Sequence, residues 1–131
     1  MSRDLIDAAI AARLKAHAPY SKFLVGVAVR DESGRVFGGC NVENAAYPQG
    51  WCAEVSAIAA LVMAGGKKIT EVAVIGAGDG LVTPCGGCRQ KIREFAGPQV
   101  KIHVCGEDGA IRRTFTLEEL LPFSFGPEHL K

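Results

Sequence analysis

Three cysteines and one glutamate carry the chemistry that this sequence suggests. Cys52 stands two residues before Glu54, and Cys85 and Cys88 form a C-x-x-C pair directly after Pro84. A structural zinc site normally has four protein ligands, whereas a catalytic site keeps three and leaves the fourth position to water. The sequence therefore predicts an open site in which three cysteines bind one Zn²⁺ per chain.

The spacing of Cys85 and Cys88 suits the first turn of a helix. Residues at i and i+3 share a helix face, so both sulfurs can hold one ion, and Pro84 there loses only an N–H that has no intrahelical partner. We expect Cys52 at the start of a second helix, and the positive ends of both helix dipoles favour thiolates. Taken alone, a C-x-x-C pair also fits a redox dithiol or half of a structural zinc site. The Cys52-x-Glu54 element is what favours catalysis.

Glu54 lies in the most apolar helix that the sequence predicts, over residues 52–64. An unpaired ionised carboxylate in such a place costs several kcal/mol. Two explanations stay open here: a salt bridge to a buried Arg or Lys, or a general acid and base beside metal-bound water. Because residues at i and i+2 do not share a helix face, Cys52 can bind the metal while Glu54 approaches the water from the side.

The remaining cysteines and the histidines give weaker signals. Cys40 as a fourth ligand would close the metal site and exclude an enzyme, but a free cysteine is commonly a small buried hydrophobe. No histidine has the spacing of a paired metal ligand. We expect only packing or solvent-exposed roles for Cys40, Cys105, His17, His103, His129 and Trp51.

Hydrophobic periodicity and turn residues predict the elements that hold these side chains. Strands and helices alternate after an initial helix and a β-hairpin, which favours parallel crossovers on one sheet and an α/β fold. The predicted helices cover residues 3–16, 52–64, 85–96 and 117–121, and the predicted strands cover 25–29, 36–40, 69–76, 100–105 and 112–115.

Composition limits the possible partners and the compartment. A chain of 131 residues is most simply one domain, residues 1–131, and a net charge of +1 gives no basic field for nucleic acid. There is no signal-peptide core and no apolar run near the ~20 residues of a membrane span. The odd count of 5 cysteines favours a reducing compartment over a disulfide framework, so we expect a cytoplasmic protein without membrane contact.

Four separated motifs resemble, in the same order, those of the small homotetrameric cytidine deaminases. The resemblance extends along the chain from Pro19-Tyr20-Ser21-Lys22-Phe23 to Leu120-Leu121-Pro122-Phe123-Ser124-Phe125-Gly126-Pro127. The metal pattern is also that of zinc nucleobase deaminases. The resemblance implies a three-layer α/β/α fold around a five-stranded mixed sheet. It also implies hydrolytic deamination of cytidine and deoxycytidine to uridine and deoxyuridine with release of ammonia, a step of pyrimidine salvage.

The resemblance also assigns roles to individual residues. It implies that Cys52, Cys85 and Cys88 bind zinc, that Glu54 carries protons, and that the Ala53 amide contacts the pyrimidine carbonyl.

For the nucleoside, Asn41 and Glu43 resemble the pair that hydrogen-bonds the ribose hydroxyl, and Phe23 resembles the aromatic residue that packs on the pyrimidine. Phe125 resembles the residue that a neighbouring subunit inserts into the site, which implies a homotetramer.

Two departures from the family pattern affect the site. Val55 stands where three-cysteine relatives often have an Arg after the catalytic Glu, so we expect the helix amino termini, assisted by Arg89, to offset the thiolate charge. Residues 48–51 also differ from the family loop. The alternatives are a deaminase of another aminopyrimidine compound, such as the blasticidin S deaminases, and a non-enzymatic zinc-stabilised interaction module with four protein ligands.

Overall fold

The computed structural model describes residues 2–130, in which five strands and four α-helices follow one another in the predicted order. Helix α1 ends three residues earlier than predicted, and α3 begins one residue later and ends three residues earlier. The elements are α1 Arg3–Arg13, β1 Gly26–Asp31, β2 Val36–Cys40, α2 Ala53–Met63, β3 Ile69–Ile75, α3 Gly86–Arg93, β4 Lys101–Cys105, β5 Ile111–Thr116 and α4 Leu117–Leu120.

The strands form one mixed sheet in the order β2-β1-β3-β4-β5. Strand β1 pairs antiparallel with β2 and with β3, β3 and β4 are parallel, and β5 is antiparallel to β4. The hairpin turn between β1 and β2 is held by Asp31, whose carboxylate accepts the N–H groups of Ser33 and Arg35. Gly34 supplies the left-handed conformation that the turn needs, with φ of 90°. The five-stranded mixed sheet is as predicted.

Side chains alternate between the two faces of the sheet and build a core on each. On one face Val27, Val72 and Ile102 belong to a buried cluster with residues of α2, α3 and α4, and on the other Ala28 and Ala73 belong to a cluster with residues of α1. Helices thus cover both faces, and the predicted three-layer α/β/α architecture is confirmed. Within residues 2–130, no helix combines the length and hydropathy of a membrane span.

An apolar composition like that of residues 52–64 is typical of a helix inside a domain, but α2 is buried on one face only. Its inner face is buried, but the side chains of Val62 and Met63 are 49% and 87% exposed, and Ala59 is exposed as well. The reason is geometric: a helix on a sheet buries one face against it, and residues 2–130 provide no further layer over α2. An apolar helix face is therefore left open.

Two glycines let helices approach the sheet at backbone distance. A methyl group on Gly39 of β2 would lie 2.3 Å from the Ala57 nitrogen and 2.6 Å from the Ala53 oxygen of α2. On the opposite face, a methyl group on Gly26 of β1 would lie 2.1 Å from the Ala9 oxygen of α1. The position of α2, which begins directly after Cys52, is thus set by contact with β2.

Candidate active site

The three predicted ligands lie together. The sulfurs of Cys52, Cys85 and Cys88 are all within 4.8 Å of one another, and those of Cys52 and Cys85 are 4.0 Å apart. Zn–S bonds of about 2.3 Å in a tetrahedron place sulfurs about 3.8 Å apart, so the three thiols fit a zinc ion with one open position. Within residues 2–130, neither Cys40 nor a histidine joins this group.

Two helix starts bring the sulfurs to one point. Cys52 and Cys85 are the N-cap residues of α2 and α3, both with extended backbone, and Cys88 lies in the first turn of α3. Cys88 is fully buried, whereas Cys52 and Cys85 are exposed on the side where a substrate can enter. The C-x-x-C spacing thus places one ligand at the N-cap and the other within the helix.

Two of the three thiols, those of Cys52 and Cys88, favour deprotonation less than the helix dipoles alone suggest. Burial raises the pKa of Cys52 and of Cys88, and the nearby Glu54 carboxylate raises both further. At Cys85 burial also raises the pKa, but the backbone N–H of Cys88 and the neighbouring thiols lower it by more. Deprotonation of all three thiols at this spacing therefore needs a cation among them. A coordinated metal ion supplies it, because it deprotonates the thiols that bind it.

Glu54 is buried beside the sulfurs, with 5% of its surface exposed. Burial raises the pKa of its carboxyl group, while the Cys88 thiol and Lys91 lower it by less. Among residues 2–130, no Arg or Lys lies within 4.0 Å of the Glu54 carboxylate, so the salt-bridge explanation for its burial lacks a partner. A buried carboxyl group beside a metal position is suited to proton transfer.

A cleft of about 230 Å³ opens over this group. Six of its lining residues were predicted as site residues, namely Phe23, Asn41, Cys52, Ala53, Glu54 and Cys85, and four were not, namely Val25, Val74, Val82 and Thr83. Val25, directly before β1, and Val74, in β3, carried no signal beyond strand periodicity. The cleft is large enough for a small heterocycle, with Phe23 at its edge, 40% exposed.

The side chains of Asn41 and Glu43 bind the loop that carries Phe23. Asn41 donates from Nδ2 to the Phe23 oxygen at 2.9 Å and accepts at Oδ1 from the Val25 nitrogen at 2.9 Å. The Glu43 carboxylate accepts hydrogen bonds from Ser21, which hold the pKa of Glu43 below its usual range. Glu43 lines two depressions next to the cleft but not the cleft itself.

Phe125 lies away from the cleft of its own chain. Its side chain is 57% exposed and stacks on His129, with ring centroids 5.1 Å apart. Gln90 of α3 donates to the Phe125 oxygen at 2.9 Å, and Arg93 donates to Ser124 Oγ at 2.8 Å. Helix α3 thus carries Cys88, follows Cys85 and also binds the C-terminal segment.

Known proteins resemble this chain along most of its length. Residues 1–104 match the family model described as the cytidine and deoxycytidylate deaminase zinc-binding region. The chain belongs to this family.

Individual relatives are similar over most of both chains. A cytidine deaminase of Sporosarcina psychrophila is 41% identical over 119 residues, which is 91% of this chain and 87% of the relative. One from Mycobacterium tuberculosis H37Rv is 38% identical, over 88% of this chain and 82% of the relative. The crystal structure of cytidine deaminase from Burkholderia pseudomallei superposes with a TM-score of 0.88 at 41% identity, covering 95% of this chain and 99% of that one.

Arg89, which the sequence suggested as a counter-charge to the thiolates, has contacts that the sequence did not predict. Arg89 donates to the oxygens of Pro84 at 2.7 Å and Leu120 at 2.8 Å and to Thr83 Oγ1 at 2.9 Å, so it holds the segment that leads into Cys85. Long-range bonds of this kind leave no periodicity or motif. The position of Arg89 directly after Cys88 places it near the thiolates in sequence but does not predict these partners.

Proposed function

We propose that this protein catalyses the zinc-dependent hydrolytic deamination of cytidine and deoxycytidine to uridine and deoxyuridine, with release of ammonia. This makes it a hydrolase that acts on the C–N bond of a cyclic amidine. One observation carries the proposal: three sulfurs within 4.8 Å of one another lie beside the buried Glu54, at a cleft lined by Phe23 and Asn41. The membership of the family and the names of the relatives support the same reaction.

The residues divide the chemistry between them. Cys52, Cys85 and Cys88 would hold Zn²⁺, which when bound lowers the pKa of a water at its open position toward about 7. Glu54 would accept one proton of the attacking water and deliver it to ring N3, which makes C4 electrophilic, and the water oxygen would add to C4. Glu54 would then take the second water proton from the new C4 hydroxyl group and pass it to the exocyclic amine, so that the C4–N bond breaks, ammonia leaves and C4 becomes a carbonyl. Because one carboxylate is first a base and then an acid, its position matters more than its resting pKa.

The nucleoside is positioned by residues around the cleft. We assign to Phe23 the packing against the pyrimidine and to the Ala53 amide a hydrogen bond to the pyrimidine carbonyl. The N–H of Ala53 is in the first turn of α2, where backbone donors lack intrahelical partners. Asn41 and Glu43 are assigned to the ribose hydroxyl, in addition to the bonds that they make within the chain.

A single ultraviolet assay with zinc analysis tests this function. The purified protein is expected to contain one Zn²⁺ per chain and to convert cytidine with stoichiometric ammonia release. Turnover of blasticidin S without turnover of cytidine would replace the proposed substrate. Zinc held by four protein ligands, with no ammonia released from either compound, would indicate an interaction module instead.

We further propose a homotetramer in which each chain places Phe125 in a neighbouring site. The open apolar face of α2, with Val62 and Met63, offers an area for association. Phe125 is exposed and points to no site of its own chain. Mixing Phe125→Ala chains with Glu54→Gln chains is expected to restore activity where an intact Glu54 receives an intact Phe125. Verified hybrids without any recovery would contradict contribution in trans.

The remaining proposals concern organisation and location. We propose that residues 1–131 form one catalytic domain, since the sheet and its two cores span the chain from α1 to α4. We also propose a cytoplasmic role in pyrimidine salvage, because the metal site requires reduced cysteines, and the five cysteines of the chain are free of disulfides within residues 2–130.

A further inference from the structure

The hydroxyl group of Ser21 links two residues of the substrate site. It accepts the N–H of Phe23 at 3.0 Å and donates to Oε2 of Glu43. Lys22, between Ser21 and Phe23, has φ of 62°, a left-handed conformation that residues other than glycine adopt uncommonly. The hydrogen bonds of Ser21 therefore hold a loop conformation that the backbone does not favour by itself.

The Glu43 carboxylate already accepts most of the hydrogen bonds that its two oxygens can accept. Its Oε1 atom accepts from the nitrogens of Tyr20 at 3.0 Å and Ser21 at 3.1 Å, and Oε2 accepts from the Ser21 hydroxyl. A carboxylate offers about four acceptor positions, two on each oxygen. One position on Oε2 is left, so Glu43 can accept one further donor.

The backbone of Phe23 is fixed from both sides. Ser21 accepts its N–H, and Asn41 donates to its carbonyl oxygen at 2.9 Å. The Phe23 ring lines the cleft and is 40% exposed, so its position depends on how its backbone is held. The side chains assigned to the ribose thus also determine where the ring assigned to the pyrimidine stands.

We propose that Ser21 is a positioning residue that determines sugar specificity: it leaves Glu43 one acceptor position for a single hydroxyl of the nucleoside and ties that carboxylate to Phe23. Recognition of the sugar and recognition of the base are then coupled through one hydroxyl group. The inference rests on the proposed nucleoside deamination. It adds a residue to which the resemblance gave no role.

Steady-state kinetics with three substrates tests the coupling. Ser21→Ala is compared with wild type on cytidine, 2′-deoxycytidine and 3′-deoxycytidine, and Glu43→Gln identifies the hydroxyl that Glu43 binds. Ser33→Ala is the matched control, because Ser33 also donates to a carboxylate, Asp31 at 3.0 Å, but in the hairpin turn away from the cleft. Ser21→Thr keeps the hydroxyl and is expected to restore wild-type values.

We expect Ser21→Ala to raise the KM for cytidine about tenfold, equivalent to about 1.4 kcal/mol, with kcat little changed because Glu54 and the cysteines are untouched. The KM for the analogue without the recognised hydroxyl is expected to rise much less, so discrimination between the two substrates falls. An unchanged KM, or an equal rise for all three substrates, overturns the proposal.

The design separates this inference from the proposed function. Wild-type turnover of cytidine supports deamination whatever Ser21→Ala does, and its absence removes the function before Ser21 is considered. If Ser21→Ala does not fold, Ser21→Cys takes its place, since the thiol is a much weaker donor and fills a similar volume. Loss of discrimination in that variant supports the coupling, and retained discrimination contradicts it.

Discussion

Gly39→Ala is expected to damage the metal site indirectly, by displacing α2 from β2. The added methyl group would lie 2.3 Å from the Ala57 nitrogen and 2.6 Å from the Ala53 oxygen, both of which are backbone atoms that cannot rotate away. Ordinary van der Waals contact begins at 3.4 Å, so α2 must retreat from β2 by about 1 Å. Since α2 begins directly after Cys52 and carries Glu54 in its first turn, the shift moves a ligand and the proton carrier together.

The size of the effect follows from this displacement. A misplacement of about 1 Å at a catalytic group can lower the rate about 100-fold, so we expect a loss of that order in kcat. Overpacking a well-packed core costs about 1–3 kcal/mol, which is the expected loss in the free energy of unfolding. Zinc affinity should fall as well, because Cys52 moves relative to Cys85 while the ligand distances that zinc requires stay fixed.

Denaturant unfolding, zinc titration and cytidine kinetics on the same samples measure these three quantities. Gly26→Ala is the matched control, since its methyl group would meet the Ala9 oxygen of α1 at 2.1 Å on the opposite face. It should destabilise the fold similarly but leave zinc affinity and kcat per folded molecule near wild type. If Gly39→Ala loses only stability, or if both variants lose zinc equally, contact of β2 with α2 does not set the site.

Three other changes test separate parts of the structure. Glu54→Gln should keep zinc and stability but lose about 100- to 10,000-fold in turnover, because an amide carries no proton; full activity would contradict the proton-transfer assignment. Cys85→Ala should lose zinc and activity together, whereas Cys40→Ala, outside the cluster, should keep both. A hydrogen bond from Arg93 lowers the pKa of Glu128 to about 2, so the stability it contributes is complete above the unfolded pKa of 4.5 and is lost as pH falls toward 2. Glu128→Gln should flatten that part of a stability profile, and an unchanged slope would exclude the ion pair.

The metal cluster could be predicted from sequence because it depends on local geometry. The i, i+3 spacing of Cys85 and Cys88 and the expected helix start near Cys52 need no knowledge of distant residues. The sheet was predictable for a similar reason, since turn residues at 31–34 and alternating valines specify the hairpin locally. Only the ends of helices and strands moved, by one to three residues, which is the usual uncertainty of element boundaries.

Features that depend on distant neighbours could not be predicted in this way. The composition of α2 indicates burial, but periodicity does not show that Val62 and Met63 are left exposed on its outer face. Asn41 and Glu43 could be associated with a sugar by resemblance, yet nothing in their spacing shows that they bind the backbone of residues 20–25. Such bonds join residues far apart in sequence and leave no repeating pattern.

Arg89 was expected to help offset the thiolate charge, and its contacts are consistent with that role. Three thiolates and Zn²⁺ carry a formal charge of −1, and Val55 supplies no cation. The acceptors of Arg89 are two carbonyl oxygens and a hydroxyl, all neutral, so these partners leave its positive charge uncancelled. The group is half-buried and directly follows Cys88, where solvent screening is weaker than at the surface.

Lys91 adds a second positive charge on the same helix. A methyl group on Gly87 would lie 3.6 Å from Lys91 Nζ, so the ammonium group folds back over the first turn of α3, toward the cysteines. Its charge lowers the pKa of Glu54, against the larger effect of burial. Lys91 is exposed and therefore screened by salt, whereas Arg89 is held by three hydrogen bonds. Of Arg89 and Lys91, Arg89 is accordingly the one whose position and field depend less on solvent, so we expect it to be the main replacement for an arginine at position 55.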